Sequence, residues 1–341
     1  MNQTRRRAQM LVPAMILVSL LSFVLACAMG SLALSVSELS HAALELMTGA
    51  PQSLAASVLD LRYTRALSGY VTGATLALSG LLMQALLRNP LADPYVLGIS
   101  SGASVAALAT IFFLGVGILV DVAAFGGALG VAALLFLLAY RDLRGLGSAD
   151  GGAPLLLLTG VIVAAGCGAM ITLLLSLAPD NTLRGMVFWM IGDLSNSQPR
   201  YLPWMILTGV LLLVMWNARA INISAMHADN ALTLGVRVGV LRRLLFGCAA
   251  LLTASAVSTA GSVGFVGLII PHACRFALGF DHRLLIPVAT MAGGSFLVIA
   301  DALARTVLAP HQLPVGVITA LIGVPVFLWQ LHRLQTGGGK R

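Results

Sequence analysis

Long apolar segments separated by short polar connections constrain this chain more than any other feature of its sequence. A helix needs about 20 apolar residues to cross the hydrocarbon core of a bilayer. Such a segment must satisfy its backbone hydrogen bonds internally, and at this length it predicts a helix. The sequence contains ten of these segments, at 10–34, 66–87, 95–119, 122–140, 154–178, 201–218, 244–262, 263–279, 284–304 and 313–331.

Composition places the whole chain in one membrane-embedded class. Only 9% of its 341 residues are charged, against roughly 25% in soluble domains. No connection is long enough for a separate soluble domain, so we interpret residues 1–341 as a single transmembrane domain with an all-α, polytopic fold. The net charge of +8 is spread over short connections, which indicates membrane topology and not a nucleic-acid-binding face.

The distribution of basic residues predicts the orientation of the chain. With ten spans, 15 of the 20 Arg and Lys residues fall in connections on one side and 5 on the other. Cytoplasmic connections carry the excess of positive residues. Both termini are therefore predicted to be cytoplasmic, in a multi-pass protein of the inner (plasma) membrane. The N-terminal apolar run is longer than the apolar region of a signal peptide, and we interpret it as the first span.

The segment 88–94, Arg-Asn-Pro-Leu-Ala-Asp-Pro, interrupts the apolar sequence with two charges and two prolines. Charged, non-helical backbone at membrane depth is costly unless it is buried in protein or reaches water. Gly98 and Gly102 follow at a spacing that lets helices approach closely. This combination is typical of a membrane protein with moving or substrate-lining parts.

A weak internal repeat surrounds the same segment. Glycine, proline and Leu-Gly recur with a constant offset of 181 residues, and five predicted spans separate the two copies, so the copies would be inverted. Inverted repeats with interrupted helices are typical of transporters. The matched positions are Gly80 with Gly261, Pro90 with Pro271, and Gly98 with Gly279.

Three connections are long enough to carry function. The outer segment 35–65 is polar and mixed, and the outer segment 179–200 is predicted to include a short interfacial helix. The inner segment 219–243 is too polar to span and too apolar for a free linker. Two interpretations remain open for it: a surface for a cytoplasmic partner, or an amphipathic helix lying on lipid.

Signals of catalysis or of an energy source are absent from the sequence. It contains no zinc-protease helix, no nucleophile-elbow motif and no paired metal-ligand cysteines. Its one lysine, Lys340, lies in the C-terminal tail, where it cannot complete a P-loop. The spans are almost free of central charges, which leaves little for ion coupling. An ion-coupled secondary transporter and an intramembrane enzyme using Ser101 or His272 are the alternative hypotheses.

Several sequence blocks of this chain resemble a known family, the FecCD-type permeases of ATP-binding-cassette importers for iron-siderophores, haem and vitamin B12. The resemblance runs from about residue 60 to 331, and four blocks carry it together. These blocks are Arg62 to Arg65 with Gly73 and Ser79-Gly80, the segment 88–103, the segment 264–275 with Pro271-His272 and Arg275, and Asp301 to Arg305 with Leu313-Pro-Val-Gly316 and Gly323.

The resemblance implies partners for this chain. It implies a second copy of the permease, two cytoplasmic ATPase subunits that use ATP, and an external substrate-binding protein, with no cofactor or metal bound by the permease itself. It also implies that outer arginines, here Arg62, Arg65 and Arg305, receive acidic residues of the binding protein. Bidentate pairing suits arginine to this contact, and snorkelling to lipid phosphate is the alternative.

The resemblance assigns the inner segment 219–243 to coupling with the ATPase, where we predict contacts by Asp229, Leu234, Gly235 and Val236. It also implies that the fifth and tenth spans line the substrate path. Packing inside one subunit is the alternative for the residues chosen on the fifth span. The three chosen there are Met170, Thr172 and Ser176.

The outer segment 179–200 supplies the expectation about cargo. Its Gly192-Asp193-Leu194 sequence looks more like the iron and haem members than the cobalamin members, so an iron chelate is favoured and vitamin B12 is the alternative. Arg184 would meet an anionic substrate, or would pair with Asp180 or Asp193.

Overall fold

The structure is a computed structural model that describes residues 2–49, 51–115, 117–143, 154–195, 200–226 and 233–337, and within these ranges every regular element is helical. The all-α prediction is therefore confirmed. In chain order the helices are α1 (Asn2–Ala28), α2 (Val36–Thr48), α3 (Leu54–Leu87), a 3-10 turn (Pro94–Leu97), α4 (Ile99–Leu114), α5 (Ile118–Leu138), α6 (Tyr140–Leu143), α7 (Pro154–Leu177), α8 (Asp180–Ile191), α9 (Tyr201–Trp216), α10 (Ala218–Met226), α11 (Val238–Ala260), α12 (Val266–Leu278), α13 (His282–Thr306) and α14 (Val315–Gly337).

Six of the described helices are long and apolar enough to cross a membrane by themselves. The pair α9 and α10, bent by 61° between them, makes a seventh candidate, and three shorter apolar helices lie within α4, α12 and α14. Each of the ten predicted segments therefore coincides with a helix. The helices α2 and α8 occupy the two outer connections, so the short helix predicted within 179–200 is confirmed as a helix.

The helix α3 is the centre of the fold. Its 34 residues extend about 51 Å at 1.5 Å per residue. In the apolar 18-residue stretch of each helix, 89% is buried for α3, against 17% for α7 and 11% for α1. The predicted span begins at residue 66, and the helix continues outward beyond it through Arg62 and Arg65, which are buried against protein groups.

Small residues let α3 approach its neighbours closely. A Cβ added at Gly73 would lie 2.2 Å from the carbonyl oxygen of Gly293 on α13, and one at Gly80 would lie 1.9 Å from that of Gly267 on α12. Neither position has room for a side chain. Close backbone packing of this kind is the principal attraction between helices in lipid, where the hydrophobic effect does not act.

The two glycines after the charged segment also make close contacts, but with different helices. Gly98 has a φ of +79° and ends the 3-10 turn against Ala164 of α7, while Gly102 packs against Gly127 of α5. The predicted small-residue spacing therefore joins α4 to two neighbours. The positive φ explains the glycine at position 98 as well, because L side chains rarely adopt it.

The charges of segment 88–94 are satisfied by protein groups. Arg88 ends α3 in the left-handed conformation, with φ +50°, and its Nη2 donates to the Ser224 carbonyl oxygen at 2.7 Å. The buried carboxylate of Asp93 accepts from the backbone N–H of Tyr95 at 2.7 Å, which caps the 3-10 turn. The segment is partly buried in protein, at residues 92–94, and partly exposed, at residues 89–91.

Two of the three matched pairs of the predicted repeat do not occupy equivalent places. Gly80 lies inside α3, whereas Gly261 follows the end of α11, and Pro90 lies in a connection, whereas Pro271 lies inside α12. The third pair is equivalent, because Gly98 and Gly279 each end a helix with a positive φ, of +79° and +84°. Glycine and proline are common in membrane helices, so a few matches of this kind arise without structural equivalence.

Candidate functional site

Two arginines hold the outer end of α1. Arg62 donates from Nη1 to the Cys27 carbonyl oxygen at 3.0 Å and from Nη2 to that of Leu32, and Arg305 donates from Nη2 to the Ala26 oxygen at 3.2 Å. The last carbonyls of a helix lack partners and carry partial negative charge. The two guanidinium groups satisfy them, so α1 is tied to both α3 and α13.

Arg65 joins three separate parts of the chain through one guanidinium group. Its Nε and Nη2 donate to Asp301 Oδ1 at 2.9 and 2.8 Å, its Nη1 donates to Gln312 Oε1 at 3.0 Å, and its Nη2 lies 4.0 Å from Asp193 Oδ1. Arg305 shares the same carboxylate, with its Nε 3.1 Å from Asp301 Oδ2. The five residues of these bonds, together with Arg62, form what we call the outer arginine cluster.

The outer arginine cluster is buried and carries excess positive charge. The residues Arg62, Arg65 and Arg305 are 5%, 9% and 5% exposed. The cluster holds three guanidinium groups and two carboxylates: Arg65 and Arg305 lie within 4.0 Å of Asp301 or Asp193, and Arg62 bonds to backbone carbonyl oxygens. Their groups bond to protein, which disfavours snorkelling to lipid. Docking of an acidic partner stays a prediction, and the geometry constrains it: a foreign carboxylate must use the remaining exposed edge or replace an internal contact.

The amphipathic helix α2 is bonded to the start of α3 beside this cluster. Glu45 accepts from the Ser53 backbone N–H at 2.8 Å and from its hydroxyl at 2.6 Å, and also from the backbone N–H of Gln52. The Ser53 hydroxyl, followed by the two backbone groups, lowers the pKa of Glu45 below its usual value. The connection 35–65 is consequently an ordered helical cap and not an extended polar loop.

Four interruptions of helical structure meet at one place. The serine hydroxyls of Ser100 and Ser262 lie 2.9 Å apart, the backbone N–H of Asp193 donates to the Ala260 carbonyl oxygen at 2.9 Å, and the N–H of Gly316 faces the Gly192 oxygen at 3.3 Å. We call this place the broken-helix junction. It comprises residues 97–100, 191–193, 260–263 and 315–316.

Glycines make the broken-helix junction possible. Gly192 and Gly261 have φ values of +88° and +69°, and a Cβ added at Gly261 would lie 2.2 Å from the Trp189 carbonyl oxygen. A Cβ added at Gly316 would lie 1.8 Å from that of Ile191. Non-helical backbone inside a membrane protein is tolerated where protein surrounds it or where it lines a cavity, and in transporters such breaks mark the substrate pathway.

The predicted path residues lie on α7, but they do not share one face. Thr172 and Ser176 are four positions apart and follow one stripe, each donating to the carbonyl four residues earlier in its own helix. Met170 lies about 200° from Thr172 around the axis, at 100° per residue. All three are exposed. The polar stripe and the Met170 side therefore face different surroundings, and the role of each stays a prediction.

Arg184 lies on the exposed side of α8. Its guanidinium carbon is 5.4 Å from the centre of the Phe188 ring, one helical turn later, a cation–π contact. It forms no ion pair with Asp180 or Asp193, both of which are described. The alternative of a structural pairing is thus not realised, while contact with an anionic substrate stays a prediction.

The inner coupling segment is only partly described. Leu234 is 64% exposed, Gly235 has a φ of +76°, and Val236 is half-buried. A groove of about 270 Å³ lies beside Gly235 and Val236. The fourth predicted contact, Asp229, lies outside the described residues. The segment is shorter than expected, because α11 already begins at Val238.

The histidine, cysteine and acidic residues are the ones that could bind a metal ion, form disulfides or act in catalysis. Among the described residues, no three His, Cys, Asp or Glu side chains are placed to hold a metal ion, and the four cysteines are free. His272 is buried on α12, and its ring packs edge-on against Phe327 of α14 with centroids 6.3 Å apart. This position is that of a packing residue between two helices.

Several residues of these sites were missed by sequence reasoning. Asp301 and Gln312 reach Arg65 across 236 and 247 positions, and no local pattern reports such distances. The four-residue spacing of Asp301 and Arg305 was a usable signal, because residues at that spacing are neighbours on a helix. Asp193 was considered as a partner of Arg184 and as part of the cargo sequence, whereas the structure places it 4.0 Å from Arg65.

Comparisons with known proteins agree on one group of relatives. An uncharacterized ABC transporter permease protein, YvrB, from Bacillus subtilis is 40% identical over 82% of this chain and 80% of its own length. The cobalamin import system permease protein BtuC of Halobacterium salinarum is 40% identical over 84% of this chain and 76% of its own length. The hemin transport system permease protein HmuU of Yersinia pestis is 36% identical over 81% of this chain and 83% of its own length.

A solved structure matches the fold over almost the whole chain. It is described as a metal-chelate type ABC transporter in an inward-facing conformation, and it has a TM-score of 0.82 at 27% identity, covering 94% of this chain and 98% of its own. The helical fold with its junction, together with these relatives, defines the class: a multi-pass permease of the ATP-binding-cassette importers. A model of the FecCD transport family matches residues 16–333. The chain belongs to this family.

Proposed function

We propose that this chain is the membrane subunit that moves an iron chelate, either haem or a ferric siderophore, into the cytoplasm. The observation that carries the proposal is the family match over 16–333. The broken-helix junction supports it, because it places interrupted backbone from four parts of the chain together, as transport pathways require. A permease for vitamin B12 is the alternative.

We propose ten membrane crossings with both termini in the cytoplasm. The six long helices, the bent pair α9–α10 and the three shorter apolar helices add up to this number. The basic residues support the orientation, since 15 of 20 lie in the connections assigned to the inside. In a bacterial cell this membrane would be the inner (plasma) membrane.

The outer arginine cluster supports docking of an external binding protein. Its three guanidinium groups exceed the two carboxylates within 4.0 Å, and uncompensated buried charge is expensive. An acidic residue of the binding protein would reduce this excess. Because the arginines are already bonded internally, docking would act on a preformed network and not on free side chains.

The cytoplasmic face supports coupling to a separate ATPase subunit. Leu234 and Gly235 are exposed beside a groove, and an exposed apolar residue next to a cavity suits a partner's surface. The chain has no P-loop lysine, so ATP would be bound and hydrolysed by the partner. The chain itself would be a transport subunit and not an enzyme.

We further propose that two copies of the chain enclose the path. Only 17% of the apolar stretch of α7 is buried within the described chain. The helix α14 also has an exposed side, where Leu321, Leu328 and Trp329 are more than half exposed. Lipid would cover part of these faces, and a second copy would cover the remainder.

The cargo is the least constrained part of the proposal. The relatives named for cobalamin and for hemin are about equally similar to this chain, so overall similarity does not choose between them. The Gly192-Asp193-Leu194 sequence favours iron chelates, and it lies at the broken-helix junction. Arg184 adds an exposed positive charge nearby in sequence that suits an anionic chelate.

The test is uptake by this chain in liposomes with its cognate ATPase subunits. Haemin, a ferric hydroxamate siderophore and cyanocobalamin would each be supplied on a matching binding protein, with and without ATP inside the liposomes. We expect ATP-dependent accumulation of haemin or of the siderophore. Accumulation of cyanocobalamin alone would replace the proposed cargo with the alternative.

Two controls separate the importer from its rivals. Liposomes with the chain alone and an ion gradient test the secondary transporter, which predicts uptake that an uncoupler abolishes. The variants Ser101→Ala and His272→Ala test the intramembrane enzyme, which predicts complete loss of function. ATP-independent uptake by the chain alone would refute the proposed function.

A further inference from the structure

The side chain of Asn222 joins the inner helix α10 to the start of α13. Its Nδ2 donates to Asp281 Oδ1 at 2.7 Å, and its Oδ1 accepts the backbone N–H of His282 at 2.8 Å. The same oxygen lies 2.8 Å from His282 Nδ1, so in the neutral ring the proton is assigned to Nδ1. One amide thus makes three contacts with two consecutive residues.

A second bond attaches α10 to the inner end of α3. Arg88, the residue that ends α3, donates from Nη2 to the carbonyl oxygen of Ser224 at 2.7 Å. Asp281 also caps α13 by accepting the Arg283 backbone N–H at 3.0 Å. The helix α10 is therefore bonded to the inner ends of the two helices that also carry the outer arginine cluster.

The helices α3 and α13 form a continuous connection between the two faces. They pack closely at Gly73 and Gly293, and both are largely buried. At their outer ends Arg65 of α3 bonds Asp301 of α13. A displacement of their inner ends can therefore be transmitted through these packed helices to the outer arginine cluster.

We propose that Asn222 is a positioning residue that transmits movement of the inner coupling segment to α13. We call Asn222, Asp281 and His282, with the Arg88–Ser224 bond, the inner latch. Hydrogen bonds are directional, so a rotation of α10 either carries α13 with it or breaks three contacts at once. The inference rests on the proposed function, since the movement would come from ATPase subunits docked on this segment.

The first test compares Asn222→Ala with Thr110→Ala in the reconstituted transporter. Both changes remove the hydrogen bonds of one side chain, but Thr110 Oγ1 donates to the Ala106 carbonyl oxygen of its own helix, α4, at 2.8 Å. We expect Asn222→Ala to lower the number of haemin or siderophore molecules moved per ATP hydrolysed by about tenfold, within the usual range of coupling effects. ATPase binding by Asn222→Ala, and the transport ratio of Thr110→Ala, should stay near wild type.

The second test exchanges the two groups of the latch. Asn222→Asp alone places two carboxylates against each other and should uncouple transport as Asn222→Ala does. Adding Asp281→Asn restores an amide–carboxylate pair, and asparagine caps a helix as well as aspartate does. We expect the double variant to recover most of the wild-type ratio, which a purely structural role of either residue would not produce.

Three results would overturn the inference: an unchanged transport-to-ATP ratio in Asn222→Ala, an equal loss of ATPase binding and transport in that variant, or no recovery in the double variant. A variant that does not fold is recognised by the thermal unfolding of the purified protein, and the exchange experiment then decides. Failure of the proposed function would show differently, as absence of ATP-dependent uptake by the wild type.

Discussion

Single residues decide what the outer arginine cluster can do. Asp301 neutralises Arg65 and Arg305 together, at 2.8 and 3.1 Å, and its side chain is only 2% exposed. Asp193 approaches the same arginine at 4.0 Å with 24% exposure. The two carboxylates are therefore not equivalent: Asp301 is a structural partner, whereas Asp193 is accessible to rearrangement.

This difference predicts the stability of two matched variants. Removing one partner of a buried ion pair costs about 3–5 kcal/mol, so Asp301→Asn should lower the free energy of unfolding strongly. Asp193→Asn removes a partly exposed contact of 4.0 Å and should change it by less than about 1 kcal/mol. Unfolding of both purified variants in detergent checks the prediction, and equal losses would show that the internal pair is not the stronger one.

At the scale of helices, close backbone contacts determine which pairs pack. The contact of α3 with α12 at Gly80 and Gly267 leaves no space for even a methyl group, because the added Cβ would meet a backbone oxygen at 1.9 Å. Backbone cannot move aside as a flexible side chain can. A helix in this position must shift as a whole.

A pair of glycine substitutions tests this contact. Gly80→Ala should destabilise the protein by about 1–3 kcal/mol, the usual cost of overpacking. Gly247→Ala on α11 is the control, since nothing lies within 4 Å of the added Cβ and alanine favours the helix by roughly 1 kcal/mol. Thermal unfolding measures both. A Gly80→Ala protein as stable as wild type would mean that α3 and α12 are not in contact as described.

Helix boundaries also belong to this scale, and several of them departed from the sequence prediction. The helix α3 begins twelve residues before the predicted span, and both arginines in this part of it bond to other parts of the chain, Arg62 to backbone carbonyl oxygens and Arg65 to Asp301. The inner segment loses residues 238–243 to α11, where Arg243 bonds the Gly239 carbonyl oxygen of its own helix. In both cases charged residues lie inside a helix because protein groups there accept their hydrogen bonds.

At the scale of the whole molecule, one chain would supply one wall of the path that two copies are proposed to enclose. The helix α7 is exposed on the side of Thr172 and Ser176 and also at Met170, which lies about 160° from Thr172 and about 120° from Ser176 around the axis. In a dimer within lipid, one side faces water and the other faces an apolar environment. The polar stripe is the better candidate for the aqueous side.

Cysteine labelling in membranes distinguishes the two sides. In a background without the four native cysteines, Thr172→Cys and Ser176→Cys should react with a membrane-impermeant maleimide, and Met170→Cys should not, because thiols react as thiolates and need water. Labelling is measured by mass shift. Reaction of Met170→Cys alone would assign the path to the opposite face of α7.

The positions of the membrane helices and the family membership were available from the sequence. Hydrophobicity and segment length are local properties, and bilayer thickness converts them directly into helices. The motifs of the FecCD family are likewise contiguous, as in segment 88–103. The internal repeat stays a prediction, because it depends on a few single residues of common types and only the Gly98–Gly279 pair occupies equivalent places.

The sequence by itself determined the class of protein, the approximate position of each helix and the group of relatives, because each depends on residues that are neighbours along the chain. Only the tertiary structure decided that the outer arginines are buried with Asp301, that four helix interruptions meet at one junction, and that Asn222 joins α10 to α13. Apart from the pair Asp301 and Arg305 on one helix, these contacts link residues between 59 and 236 positions apart. Their geometry depends on how the whole set of helices packs, and no short stretch of sequence records it.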